Sequence, residues 1–118
     1  ILANLLVCLA VWMSYSGRSL TDKTLAMILP VTMFVSSGFE HSIANMFMIP
    51  MAIVIKDFAS VDFWQLTSTT AGQFSTLTPW QFITDNLIPV TLGNIIGGGL
   101  LVGLTYWIIY LRKDNSEN

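Results

Sequence analysis

Ser36-Ser37-Gly38-Phe39-Glu40-His41-Ser42 interrupts an apolar region that otherwise runs from Thr24 to Ile55. As one straight helix that region would be roughly 48 Å long, well beyond a ~30 Å hydrocarbon core. The interruption is small, polar and ionisable. Pro30 and Pro50 each withdraw a backbone donor on its flanks. The reading is two half-helices, 24–37 and 43–56, joined by an unwound stretch. Irregular backbone at membrane depth is tolerated only inside protein or beside a water-filled cavity. Broken helices of this kind are where transport sites are commonly built.

The flanking segments support a membrane setting. Residues 1–13, ILANLLVCLAVWM, are apolar from the outset, and Ile1 is not a methionine. No basic leading region or small-residue cleavage site marks a signal peptide. Residues 1–16 therefore read as a span lacking its beginning, with Gly17 as its C-cap and Arg18 beside its C-terminus. Thr21 or Asp22 is placed to cap the next helix. Residues 57–85 mix Asp57, Asp62 and Asp85 with Phe63, Trp64, Trp80 and many Ser/Thr, the pattern of an extramembrane loop with an aromatic belt. Thr78-Pro79 can open a short helix there.

The last span, 86–111, carries no charge and is roughly 39 Å long as a helix. Gly93 and Gly97 are four apart, as are Gly99 and Gly103. Small residues at that spacing let another helix approach closely, and Asn94 can hydrogen-bond across such a contact. Tyr106, Trp107 and Tyr110 mark the far interface, followed by Arg112-Lys113 and the tail 112–118.

Composition agrees. The 118 residues are 53% hydrophobic and 10% charged, with net charge −2. Soluble domains carry roughly 25% charge, so a water-soluble globule and a disordered chain are both excluded. Five cationic residues in an acidic chain make a poor nucleic-acid binder. A single cysteine, Cys8, excludes an internal disulfide, and no Cys/His cluster reads as a metal site. Arg18, Lys23, Arg112 and Lys113 fall on one side of three spans and Lys56 on the other, which places the first turn and the tail in the cytoplasm.

Within the break, His41 is the only histidine, and Glu40 is the one formal charge inside a span. An ionisable group at membrane depth costs on the order of 2.5–3.5 kcal/mol on insertion scales, so it is a functional-site hypothesis by default. Histidine as a residue type titrates near pH ~6.5 and can exchange a proton in the physiological range. It could protonate a small weak-acid anion in transit, or pair with it as a cation. The half-helix starting near Ser42 or Ile43 offers free N–H groups and a positive dipole end to the same anion. Asn45, four residues after His41, can bind the ring or the substrate. Glu40 is assigned to tethering neighbouring backbone or a helix end. Phe34, one turn before the break, either narrows a pore or faces a neighbouring helix. Met46, Met48 and Met51 read as packing rather than as haem ligands. Two alternatives stand beside a pore. One is a membrane anchor or interaction subunit with a structural His41, motivated by the glycines of the last span. The other is a redox subunit, for which paired ligands are lacking.

The stretch Ser37-Gly38-Phe39-Glu40-His41-Ser42-Ile43-Ala44-Asn45-Met46 resembles the bacterial formate channels of the formate/nitrite transporter family, in their C-terminal half. Asn4-Leu5-Leu6-Val7-Cys8-Leu9-Ala10 is similar to the family's fourth-helix motif. Asp85-Asn86-Leu87-Ile88-Pro89-Val90-Thr91 with Gly93-Asn94-Ile95-Ile96-Gly97-Gly98 is similar to its sixth-helix motif. The resemblance covers essentially the whole chain. It implies an all-α membrane protein, a pentamer of six-helix, aquaporin-like protomers with one pore each. This chain would supply the second inverted repeat, its middle span broken, and the N-terminal half would complete the protomer. It implies an inner-membrane transport protein, not an enzyme, that needs no cofactor and passes formate, with nitrite and other small monovalent anions as possible passengers. It implies His41 as the central pore histidine, Phe34 as an outer constriction residue and Val7 as part of the cytoplasmic constriction. Asn4 and Asn94 match asparagines along the pore and the repeat-related helices.

Overall fold

A computed structural model describes residues 1–112. Lys113 and the rest of the expected tail lie outside the described residues. Helix α1 is Leu2–Ser14, α2 is Leu20–Ser36, α3 is Ser42–Phe58 and the short α4 is Val61–Leu66. A 3₁₀ turn at Ala71–Phe74 follows, and then α5, helical throughout 79–111. The chain divides into two compact units, Ile1–Glu40 with residues from Leu92 onward, and His41–Thr91.

Local chemistry sets the helix ends. In α2, Ser19 is the N-cap. Its hydroxyl accepts from Asp22 N–H at 3.1 Å, and the Asp22 carboxylate accepts from Ser19 N–H at 3.0 Å. This reciprocal capping box corrects the expectation that Thr21 or Asp22 would cap. The cap sits earlier, and α2 opens at Leu20 rather than 24. Gly17 is also corrected. Helix α1 ends on Tyr15 in right-handed geometry, and Gly17 has no positive φ. Its small size serves another end, because a Cβ there would lie 2.9 Å from Lys23 N. Thr78 caps the start of α5, accepting from Gln81 N–H at 3.2 Å with Pro79 in the first turn.

Pro30 and Pro50 do not break their helices; each lies inside α2 or α3. One missing donor costs a single backbone bond, which a long apolar helix absorbs more readily than an exposed one. Pro89 leaves a clearer mark. It cannot donate to the carbonyl of Asp85, and the preceding Phe82–Leu87 winds as a π-helix, with Ile88 N–H bonded back to Ile83. A second π stretch, Ile96–Leu104, contains the glycine run.

In the first unit, α1 packs on α2 and on the Ile96–Leu104 stretch. Ala3 and Ala10, seven residues apart on one face, are its buried apolar residues. Gly97 is buried, and a Cβ built on it would run into the Ile1 carbonyl. A Cβ on Gly98 would strike the Asn4 amide and lie 2.9 Å from Cys8 Sγ. Gly93 also faces Ile1. Gly99 and Gly103 do not share this approach: a Cβ on either meets only its own helix, at 3.8 and 3.4 Å. Trp12 stacks on Tyr106 with ring centroids 3.8 Å apart, and Tyr110 joins them.

In the second unit, Lys56 Nζ donates to the Leu77 carbonyl at 2.7 Å and pairs with Asp57 at 3.3 Å. Phe63, Trp64 and Phe74 cluster beside it around an apolar cleft of about 310 Å³.

No large apolar side chain is fully buried among the described residues. The chain exposes 8792 Å², against about 6,400 Å² expected of a soluble monomer of 13.1 kDa. Leu, Ile, Phe and Met side chains on α2, α3 and α5 therefore need lipid or further protein against them. The stretch Ala71–Leu111 is long and apolar enough to cross a membrane, and Leu2–Ser14 is apolar but shorter.

Candidate functional site

Helix α2 ends in a Schellman motif. Gly38 N–H donates to Val35 O at 3.1 Å and Phe39 N–H to Phe34 O at 3.3 Å. The motif needs a left-handed residue, and Gly38 supplies it with φ +64°. The chain then runs extended to His41, at φ −126° and ψ 122°, which is the N-cap of α3. Only a few residues of chain thus separate the C-terminus of α2 from the N-terminus of α3.

At the α3 end, His41 makes no capping bond to its own helix. Its carbonyl accepts from Asn45 N–H at 2.9 Å, which begins the helical ladder. The first N–H groups of α3, from Ser42 onward, carry the positive end of the dipole. Ser42 and Asn45 are buried and His41 is half-buried. Asn45 is engaged: its Nδ2 donates to Asn86 Oδ1 at 2.7 Å. The sequence reading offered Asn45 to the ring or to substrate and gave Asn86 no role. The available signal was a polar residue placed between Asp85 and Pro89 at the start of an otherwise uncharged span.

At the α2 end, Glu40 is held through its backbone. Its carbonyl accepts from Asn94 Nδ2 at 3.2 Å, and the Asn94 carbonyl accepts from Asn4 Nδ2 at 2.8 Å. Asn94 is 5% exposed. A buried carboxamide costs free energy unless bonded, so this relay both satisfies Asn94 and pins the break to α1 and α5 within the first unit. Glu40 itself is exposed on an open cleft of about 510 Å³ lined by Ile1, Leu2, Ala3 and Phe39. Phe34 is half-buried one turn before the break, and Val7 is half-buried in the middle of α1. Met46, Met48 and Met51 are exposed on α3. Among the described residues no group of three His, Cys, Asp or Glu could hold a metal ion.

The half-buried His41 imidazole and the amino end of the 17-residue helix α3, where the helix dipole is positive, lie together in the second unit.

Comparison with known proteins gives consistent relatives. The family described as formate/nitrite transporter matches residues 1–108. The formate channel FocA of Escherichia coli K12 is 74% identical over 117 residues, covering 99% of this chain and 41% of that protein. The formate channel FocB of the same strain is 61% identical over 97% of this chain and 40% of its own length. A solved structure described as a pentameric formate channel with formate bound superposes with TM-score 0.85 at 62% identity, over 94% of this chain and 44% of that one. The chain spans about two-fifths of the length of the curated relatives it matches.

Proposed function

The chain belongs to the formate/nitrite transporter family, and from that premise we propose that it forms the second half of a pore for formate and similar small monovalent anions, nitrite among them. The pore works in the bacterial inner membrane as one of five in a homopentamer, with its C-terminus in the cytoplasm. The observation that carries the reading is the break itself: α2 closed by Gly38 and, three residues on, α3 opened at His41.

The physics of transit explains why a histidine belongs there. Moving a bare carboxylate into a dry, low-dielectric constriction costs on the order of 20 kcal/mol before compensation. A barrier of about 17 kcal/mol already limits passage to roughly one event per second. A dry pore therefore has to neutralise its anion. His41 does so by donating a proton or by pairing as an imidazolium, and the N–H groups of α3 stabilise whatever charge remains. Phe34 and Val7 keep water out on either side of the break. Asn45 guides the anion one helical turn past His41. Glu40, Asn4 and Asn94 hold the break open.

The anchor reading rests on glycines seeking a partner helix. Gly93, Gly97 and Gly98 already meet α1 of the same chain, which leaves that stripe little to offer a separate subunit.

The test is formate flux against pH in liposomes holding the complete natural polypeptide, with His41→Phe and His41→Asn beside the wild type. The wild type carries formate with a pH profile that both substitutions flatten. A pH profile that survives both would remove His41 from the mechanism.

A further inference from the structure

Helix α3 runs without a charge from Ser42 to Ile55 and then meets Lys56 and Asp57 in its last turn. Lys56 is the one charged residue in the lining of the cleft of about 310 Å³, whose apolar walls include Ile55, Phe63, Trp64 and Phe74. A second cleft of about 370 Å³ shares Ile55 and Phe63 with it and adds Val54 and Phe58. We propose that this face of the second unit binds one phospholipid whose headgroup carries both a phosphate and a primary ammonium, the phosphatidylethanolamine type. An acyl chain lies in each cleft, and the headgroup rests on Lys56 and Asp57.

Three observations carry this. The first is what the surface exposes. Val54 is 52% and Phe58 83% exposed, directly beside the first charges of the helix. Open apolar side chains next to the charged end of a span stand where acyl chains give way to headgroups, and Trp64 with Phe63 supplies the aromatic residues typical of that level. The second is the pairing of the clefts. Two apolar grooves with a common wall match the two chains of one phospholipid, whereas a single-chain amphiphile leaves one groove open. The third is charge. Lys56 Nζ is held by the Leu77 carbonyl at 2.7 Å and by Asp57 at 3.3 Å, so its position is set. An ammonium has three N–H donors. Leu77 and Asp57 take at most two, which leaves one for a phosphate oxygen. The Asp57 side chain is 50% exposed and can accept from a ligand ammonium. The segment 56–85 carries three aspartates against one lysine. A purely anionic headgroup meets an excess of like charge there, while a zwitterion sets each of its charges against the opposite one.

The test uses no transport, so it stands or falls apart from the formate-pore reading. The complete polypeptide, its assembly read on a sizing column, is offered mixed micelles with equal amounts of phosphatidylethanolamine, phosphatidylcholine and phosphatidylglycerol. Lipid retained per assembled channel is counted by mass spectrometry of the washed protein. Wild type is expected to retain the ethanolamine lipid about tenfold over either of the others, the scale of one charge-assisted hydrogen bond. Asp57→Asn should abolish the preference over the choline lipid, and Asp57→Lys should turn it towards phosphatidylglycerol. Val54→Trp, which fills the second cleft, should lower retention of all three lipids. Equal retention of the three by the wild type overturns the proposal, as an unselective lipid surface would give that result. Retention of none also overturns it, since the clefts are then covered by the rest of the polypeptide or by a neighbouring copy. An Asp57→Lys channel with the wild-type preference overturns the assignment of the headgroup.

Discussion

Replacing Gly38 by alanine isolates what the break costs the backbone. Gly38 has φ +64°, and a Cβ built there meets nothing within 4 Å. The penalty is therefore conformational, with no collision to relieve. A left-handed L-residue costs roughly 1–2 kcal/mol, and alanine recovers about 0.4–1 kcal/mol by restricting the unfolded chain. The alternative is to leave the left-handed region and forfeit the bonds from Gly38 N–H and Phe39 N–H. Each is worth about 0.5–1.5 kcal/mol, so that escape offers no clear advantage. The net destabilisation is about 1 kcal/mol. Asparagine should lose less, because it visits the left-handed region more readily, and valine should lose most. The assay is denaturant unfolding of the complete polypeptide in mixed micelles, comparing glycine, asparagine, alanine and valine at position 38. Stability should fall in that order. Alanine as stable as glycine would refute the reasoning, since it would mean that the turn after α2 does not require positive φ.

Two further predictions follow from the helix contacts and caps. Gly97→Ala should destabilise by about 1–3 kcal/mol, because its Cβ meets the Ile1 carbonyl, while Gly99→Ala should not; thermal unfolding of the two variants compares them directly. The Asp22 carboxylate is held below the usual carboxylate range by the Ser19 backbone N–H, then by the Ser19 hydroxyl and the Arg18 N–H. With a folded-state pKa lower than the unfolded one, the contribution is present above the ordinary carboxylate range and disappears as pH falls through the folded-state value. The stability advantage of wild type over Asp22→Asn should therefore be present at neutral pH and shrink in acid, as read by unfolding at stepped pH.

The break was legible because a glycine, a glutamate and a histidine within four residues, Gly38 to His41, have no place in an apolar helix. The prolines misled in degree: each removes one donor, but α2 and α3 are long enough to continue through the gap. The start of α2 was misplaced because the apolar pattern begins at Thr24, whereas the helix begins at its capping box, and Ser19 with Asp22 is a three-residue spacing the pattern does not weigh. The glycine face was half readable. A four-residue spacing selects a face only while the winding is α, and from Ile96 the helix is π. Gly98 consequently joins Gly97 against α1. Asn86 was passed over because its partner lies 41 residues away and nothing local marks the pairing.

The most direct test of the account is formate uptake into liposomes carrying the complete polypeptide, set against a strong-acid anion of similar size over a range of pH. A pore in which His41 donates a proton to its passenger should carry formate well above protein-free vesicles, and should favour it over the strong acid increasingly as pH falls, since only formate can take up a proton. Uptake equal to that of protein-free vesicles, or a formate preference that does not change with pH, would contradict the account.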